Sequence, residues 1–597
     1  MKQSFVKALI VTVLVLALSL GFAVSAFALP INNVSNSYFY DVNGNDASAP
    51  LAFTVDRVIS YPDIVPNGTV KQPFEPVDLH YHDGYLYVLD AKNRCVYVLD
   101  DEYKLVTTIS RLSGDNIPDI YVVQDGSSET EDGEEVPDLD AGSPEADAEA
   151  PTGPVVMTGG NKFELQGPMG IFVVTGDVDE DGDGKKDPVI YISDTDNQRI
   201  VVCNLKGQVS QVYQQIKVSV LGDLYSFKPT RLVVDNTGDL QVICSGINRG
   251  IMQINSDGEF RAFFGAPDVL ISAWERLWRN FATEEQLAQM VTFTPTEYSS
   301  LTIDKRGFIY PTISALDDAA VKGLRALSIS PSHSPVKKLS ADGTDMLRRK
   351  GLANPMGDLV WAPSKEVSPK IIDISVQSDS GRYTILDQQT GRFFTYDADG
   401  NLLYLAGGKG TSQGTFQMPA ALETQGDYVY ISDTTAKTIT VFRATDYVKA
   451  INEAAQASAN GLWETSIPLW QEVLSYNSNM FIANIGLGKA EMRLAMALID
   501  DQRDANGMNA LDHYEKAIFY FDRASEKDNY SVAYTALRGN ELEKYFGLIF
   551  GVIGVLIVGL IVLKIVRAQK KKKAAKAMKK RVDQGPMINR AKKGDAE

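Results

Sequence analysis

The stretch Pro188 to Asn204, PVIYISDTDNQRIVVCN, alternates apolar and polar positions from Val189 to Ser193. It carries turn chemistry from Asp194 to Gln198 and ends in the apolar, β-branched run Ile200 to Cys203. That is the pattern of strand, tight turn, strand. The copy at Tyr430 to Phe442 repeats Tyr-Ile-Ser-Asp-Thr letter for letter, and looser copies lie at Tyr85 to Leu99, Leu240 to Ile254, Phe308 to Leu339 and Tyr383 to Tyr396. Upstream of five units stands a proline (Pro76, Pro168, Pro229, Pro369, Pro419), each with an aliphatic residue three positions on (Leu79, Ile171, Leu232, Ile372, Leu422). Proline has no donor for the sheet ladder, so it fits where a strand begins, and the aliphatic residue then faces the core. The unit around Tyr298 to Tyr310 lacks the proline but keeps Leu301, Ile303 and a turn at Asp304 to Gly307.

A four-stranded unit that recurs in this way and buries its faces only against its neighbours predicts one cooperative β-propeller. The strand read at Leu51 to Ser60 is expected to complete the last blade, because a ring closed by both chain ends leaves no free sheet edge.

Phe, Pro, Gly-Ile and then Tyr-Ile-Ser-Asp-Thr-x-Asn-x-Arg-Ile resemble the NHL repeat, most fully over residues 163–204 and 416–443 and in outline over 50–443. The resemblance implies a mainly β fold, a six-bladed NHL-type propeller over residues 29–444. It implies little about function, because propellers host lyases, lactonases and binding modules alike.

After Thr445 the period turns helical. Trp463, Ser466, Trp470 and Val473, then Tyr514, Ala517, Phe521 and Ala524, resemble the second helices of tetratricopeptide repeats, with Ile485, Leu487, Gly488 and Ala490 on an intervening first helix. The resemblance implies a TPR-like hairpin array over residues 445–544, a stalk or a docking surface for a protein.

Both ends change the setting. Lys2 and Lys7, the apolar run Ala8 to Val24 and the small-x-small site Ala26-Phe27-Ala28 predict a signal peptide over residues 1–28. Residues 545–563 are continuously apolar, long enough to cross a bilayer, and thirteen Lys and Arg follow between Lys564 and Lys593. The positive-inside rule then puts the basic tail, 564–597, in the cytoplasm and the bulk of the chain outside, as a single-pass type I protein of the cell membrane. The complete architecture resembles membrane proteins of Gram-positive bacteria that accompany sugar ABC-transporter systems, which implies transporter components as partners.

The net charge of −18 is uneven. Residues 125–151 hold eleven acidic residues and no Lys or Arg; they read as a solvated disordered insertion or as a docking site for a basic partner or cation. Asp177, Asp179, Asp181, Asp183 and Asp187 follow as alternate acidic residues around Gly184, which converge hard oxygens as calcium requires. The loop is no standard EF-hand, since Pro188 holds its twelfth position; it reads either as a structural calcium site or as an acidic hairpin turn. Residues 265–297 break the strand period with a helical insertion, whose Trp274 and Trp278 either cover one face or line a ligand site.

No catalytic constellation emerges. The propeller holds His80, His82 and His333 without a G-x-S-x-G or H-E-x-x-H motif, and a lone His-x-His reads as packing or surface. Cys95, Cys203 and Cys244 read as buried small hydrophobes. The repeated Asp90, Asp194, Asp387 and Asp433, with Arg94, Arg199, Arg392 and Lys437 four or five residues on, read as turn carboxylates paired with the base of the next strand. The expectation is an anchored extracytoplasmic binding or scaffold protein for a protein or carbohydrate, with no nucleic-acid partner. The alternative is a metal-dependent enzyme of the lactonase or lyase kind acting in the channel.

Overall fold

The structure is a computed structural model and describes residues 37–582 except 44, 66–73, 116, 121, 123–160, 180–183, 222–224, 267–296, 315, 317–333, 352–353, 359, 362–365 and 499–501. The signal peptide, the acidic insertion, Asp181, Asp183, Trp274, Trp278, His333 and the end of the basic tail lie outside the described residues. The chain divides into two compact units, residues 1–487 and 488–597.

The first unit begins with a hairpin, β1 (Tyr38–Tyr40) and β2 (Asp46–Ser48), followed by β3 (Phe53–Ser60) and the short α1 (Tyr61–Ile64). Four-stranded antiparallel sheets follow: β4 (Pro76–His82), β5 (Tyr85–Asp90), β6 (Cys95–Leu99) and β7 (Leu105–Ile109); β8 (Pro168–Thr175), β9 (Pro188–Asp194), β10 (Arg199–Cys203) and β11 (Val209–Gln214); β12 (Pro229–Val234), β13 (Leu240–Cys244), β14 (Ile251–Ile254) and β15 (Phe260–Phe264). After the pairs β16 (Tyr298–Ile303) with β17 (Ile309–Ile313) and β18 (Val360–Trp361) with β19 (Glu366–Val367) come β20 (Ile371–Gln377), β21 (Arg382–Asp387), β22 (Arg392–Tyr396) and β23 (Leu402–Gly407). The last sheet joins β24 (Pro419–Gln425), β25 (Tyr428–Asp433) and β26 (Thr438–Ala444) to β3 from the N-terminal side.

The first strands β4, β8, β12, β16, β20 and β24 neighbour one another in that order, and β24 returns to β4, which closes a ring. Five blades, not six, are four-stranded among the described residues. At the remaining position β16 and β17 form a two-stranded sheet, extended outward by isolated bridges such as Ile309 to Leu339 and Thr312 to Val336. Pro335 and Pro311 stand in this region, and neither can donate to a ladder, which favours scattered bridges over a regular strand.

The proline rule holds for four blades and slips in one. Leu79, Ile171, Leu232 and Leu422 are buried, but Ile372 is only half-buried. In that blade Ile371 occupies the proline position, pairing with Asp387 as Pro76 pairs with Asp90, and Ile374 is the buried residue three on. The cores lie between successive blades; one cluster packs Leu89 and Val98 of one blade against Ile171 and Ile192 of the next. Cys95, Cys203 and Cys244 are buried free thiols within these strands.

The four repeated aspartates do accept turn and loop amides, from Lys92 and Asn93 at Asp90, Gln166 at Asp194, Gln389 at Asp387 and Thr435 and Ala436 at Asp433. The paired base forms only once among the described residues, where fully buried Arg199 donates from Nε to Asp194 at 2.7 Å. Arg94 and Lys437 sit one position earlier in the turn, at φ 55° and 58°, in register with Gln198 rather than Arg199. Arg392 turns instead to Asp358 at 3.3 Å, which also takes the hydroxyls of Tyr38 and Tyr40 and so ties the N-terminal hairpin down.

Helices α2 (Asp446–Ala459), α3 (Trp463–Tyr476) and the start of α4 (Phe481–Ala497) complete the first unit. Ser466, Trp470 and Val473 form the buried face of α3, and Trp470 fits only because Gly486 faces it: a Cβ there would lie 2.4 Å from the indole. In the second unit α5 (Ala510–Arg523) is opened by a capping box between Asn509 and Asp512 and precedes α6 (Lys527–Val582). Phe521 of α5 packs at Gly488 in the same way, 2.6 Å from a built Cβ. Within α6 the stretch Tyr545–Arg581 is long and apolar enough to cross a membrane, and its large side chains, such as Leu548 and Val555, stand 68% and 73% exposed.

Candidate functional site

Each of the six inner strands has a register shift directly after its first paired residue: Pro76/Asp78, Pro168/Gly170, Pro229/Arg231, Tyr298/Ser300, Ile371/Asp373 and Pro419/Ala421. Bulges re-aim the side chain that follows them. Around the ring the re-aimed positions therefore read Asp, Gly, Arg, Ser, Asp, Ala, a charged residue alternating with a small one.

The alternation has a steric reason. Asp78 reaches over Gly170 to accept the amide of Ile171 at 2.8 Å, and Asp373 reaches over Ala421 to accept that of Leu422 at 2.6 Å. Arg231 passes Gly170 in the other direction, donating from Nη2 to the carbonyl of Val77 at 3.2 Å and approaching Asp78 at 3.9 Å. A Cβ on Gly170 would lie 2.6 Å from the Thr230 carbonyl oxygen and 3.1 Å from the Arg231 Cα. Ser300 adds a 2.6 Å hydrogen bond to Asp373. Burial pushes the Asp78 carboxyl up to about 7, against the pull of Arg231 and with a further push from Asp373. Burial likewise raises Asp373, again opposed by Arg231.

Two residues further along the same strands, on the same face, come His80, Phe172, Val233, Thr302, Ser375 and Glu423. The His80 ring lies 4.7 Å from that of Phe172, with its Nε2 3.2 Å from the Val173 carbonyl oxygen. A carbonyl can only accept, so Nε2 carries the hydrogen and Nδ1 presents a lone pair. That lone pair faces Glu423 Oε2 at 3.6 Å. Glu423 Oε1 accepts from Ser375 at 2.8 Å and from the Thr424 amide at 2.9 Å. Burial pushes Glu423 up to about 7 and His80 down to about 3, with neighbouring His82 lowering His80 further. A neutral imidazole and a carboxyl that holds its proton near neutrality thus stand opposed. The His80 and Glu423 side chains are 18% and 17% exposed. His82 stacks near-parallel on His80 at 6.4 Å and bonds Thr175 at 3.0 Å, which marks the mouth of the ring.

The sequence motifs fall elsewhere. Asp177 is 99% exposed, 3.1 Å from Lys186, and Asp179 accepts the amide of Gly184 at 3.0 Å. Among the described residues no three His, Cys, Asp or Glu side chains are grouped to hold a metal. His80 belongs to the ring and not merely to packing or surface, as its motif suggested. Asp78, Arg231, Asp373 and Glu423 carried no motif at all. Their signal was a polar residue two or four positions after the strand-opening proline, as in Pro76-Val-Asp78 and Pro229-Thr-Arg231.

No family model matches the chain, and no curated protein matches it. Solved structures do. Hydrazine synthase from Kuenenia stuttgartiensis is 10% identical, with 63% of this chain and 97% of that one covered and a TM-score of 0.33. A streptogramin B lyase is 10% identical over 67% of this chain and all of its own, at 0.33. An auxiliary nutrient binding protein from Bacteroides thetaiotaomicron VPI-5482 is 10% identical over 67% and 81%, also at 0.33. These likenesses are faint, and the fold stands on the sheet order.

Proposed function

We propose that the chain is a membrane-anchored, extracytoplasmic binding protein whose propeller takes a neutral, hydroxyl-rich ligand, a carbohydrate, at the mouth of the ring. The observation that supports this reading is the row His80, Ser375 and Glu423 beside the Phe172 ring, above a tier whose cation is the chain's own Arg231. Carboxylates that already converge on a guanidinium are committed, whereas the row above them offers donors, acceptors and one aromatic face to a ligand. Thermal unfolding of the full-length protein in detergent, scanned against a sugar panel, tests it. A ligand at one hundred times its dissociation constant adds about 2.7 kcal/mol, and Glu423→Gln should remove that gain. A panel without any stabilising sugar, or a gain untouched by the substitution, overturns the reading.

A second reading, lactonase- or lyase-like acid–base chemistry at the same mouth, draws on the opposed protonation of His80 and Glu423. Turnover of lactone substrates that disappears in both His80→Ala and Glu423→Gln would favour it over binding alone.

The remaining parts fit around this core. The propeller blades are of the NHL type. The signal peptide and basic tail set a type I orientation. The TPR-like helices hold a membrane partner such as a transporter component. Calcium at Asp177 to Asp187 stiffens the loop before β9, so Asp181→Asn with Asp183→Asn should abolish calcium-dependent stabilisation. Trp274 and Trp278 contribute to the ligand face.

A further inference from the structure

A second concavity, of about 920 Å³, lies between the last blade and the first, where β3 closes the ring. Its floor is aromatic: Tyr430 of β25 stacks on Tyr81 of β4 at 5.9 Å and 21°, Tyr428 continues the stack at 6.5 Å, and Tyr103 meets Tyr430 edge-on at 6.2 Å. Its rim is acidic, with five carboxylates to two cationic side chains. Two of those carboxylates are spoken for, Glu102 by Lys104 and Asp63 by the Ser60 amide and hydroxyl. Asp56, Asp101 and Asp427 take no ion pair or side-chain hydrogen bond among the described residues, although all three border the cavity.

One contact shows what such a wall accepts. The Arg57 guanidinium lies 5.3 Å from the centroid of Tyr103, held there by a 2.9 Å hydrogen bond from Nη1 to the carbonyl of Glu102. Aromatic faces carry negative quadrupole potential, so a tyrosine wall beside unpaired carboxylates attracts positive charge with an apolar outer surface. A neutral sugar can hydrogen-bond to the carboxylates but has no charge for their excess to attract, and an anion would be repelled.

We infer that this cleft is a binding site for a small organic cation, a quaternary ammonium or guanidinium group, separate from the mouth of the ring. The Arg57 guanidinium occupies part of it from within and competes with the ligand for the face of Tyr103.

The test is calorimetric titration of the full-length protein in non-ionic detergent at constant ionic strength. Three probes are used: choline, methylguanidine, and the uncharged choline isostere 3,3-dimethylbutan-1-ol. At least one cation should bind ten-fold or more tightly than the isostere. The double variant Asp101→Asn with Asp427→Asn, at rim positions outside the strand ladders, should weaken that cation at least ten-fold, and Arg57→Ala should tighten it several-fold by vacating the Tyr103 face. Failure of both cations to bind, equal binding of cation and isostere, or an Asn variant that binds as the parent does overturns the inference. The probe comparison uses the unaltered protein, so it stands even where a variant folds poorly. Because the sugar test reads Glu423 and this one reads Asp101 and Arg57, either site can fail without the other.

Discussion

Arg231 and Asp78 come from blades that are not neighbours, yet their side chains meet at 3.9 Å because the strand between them contributes Gly170. A residue without a side chain is here part of a charge arrangement. Gly170→Ala should lower stability by about 1–3 kcal/mol through overpacking, since its Cβ would meet backbone, which yields less readily than a side-chain end. Chemical denaturation of the variant measures this, and an unchanged midpoint would show that Arg231 takes another path.

Removing the guanidinium should cost more at high pH than at low. In Arg231→Met the carboxyls of Asp78 and Asp373 lose their shared counter-charge, a loss of about 3 kcal/mol where both are ionised. At acidic pH both can hold protons, and the loss should shrink. Unfolding midpoints at pH 5 and pH 8 test this; an equal loss at both would mean that Arg231 acts by packing alone.

The pH profile of the parent follows from three groups in the ring. Asp78 and Glu423 have folded values near 7, above the unfolded range of about 4. The native state therefore holds protons the unfolded chain releases, and stability falls as pH rises from about 4 to about 7. His80 works the other way: its folded value near 3 lies below the unfolded 6.5, so its term rises with pH between those values. Two carboxyls outweigh one imidazole, and Asp358, raised to about 6, adds to their side. The net profile should decline across pH 4 to 7, more steeply in His80→Phe and less steeply in Glu423→Gln. Denaturant titrations at a series of pH values read the slopes.

Ending the chain after residue 544 removes the exposed apolar stretch that begins at Tyr545. The truncated protein should leave the membrane fraction and appear soluble. Retention would mean that another segment anchors it.

The blades were legible because their turns repeat. Tyr-Ile-Ser-Asp-Thr at residues 191–195 and 430–434 marks the same second strand and the same amide-binding aspartate in both blades. Ile372 was misread because register depends on a bulge between Ile371 and Asp373, and a bulge leaves no periodic trace. The unit at β16 reads as a full blade because its first strand and turn keep the pattern, whereas its outer half pairs only through isolated bridges among the described residues. Arg94 and Lys437 looked like Arg199, but one residue of offset sends a side chain into a left-handed turn position and not into a strand. The ring cluster was hidden for a deeper reason. Asp78, Arg231 and Asp373 are far apart in sequence, and only closure makes them one group.

That closure also fixes when the protein can become itself. Thr445 donates to the carbonyl of Leu51, a partner 394 residues away, and β3 has no sheet to join until β26 exists. A chain synthesised N-terminus first must carry β3 as an unpaired strand through nearly the whole emergence of the propeller. Such long-range pairing is slow and leaves sticky edges in the interim. The final latch, and the acidic tyrosine cleft that forms along it, can therefore appear only at the end of folding.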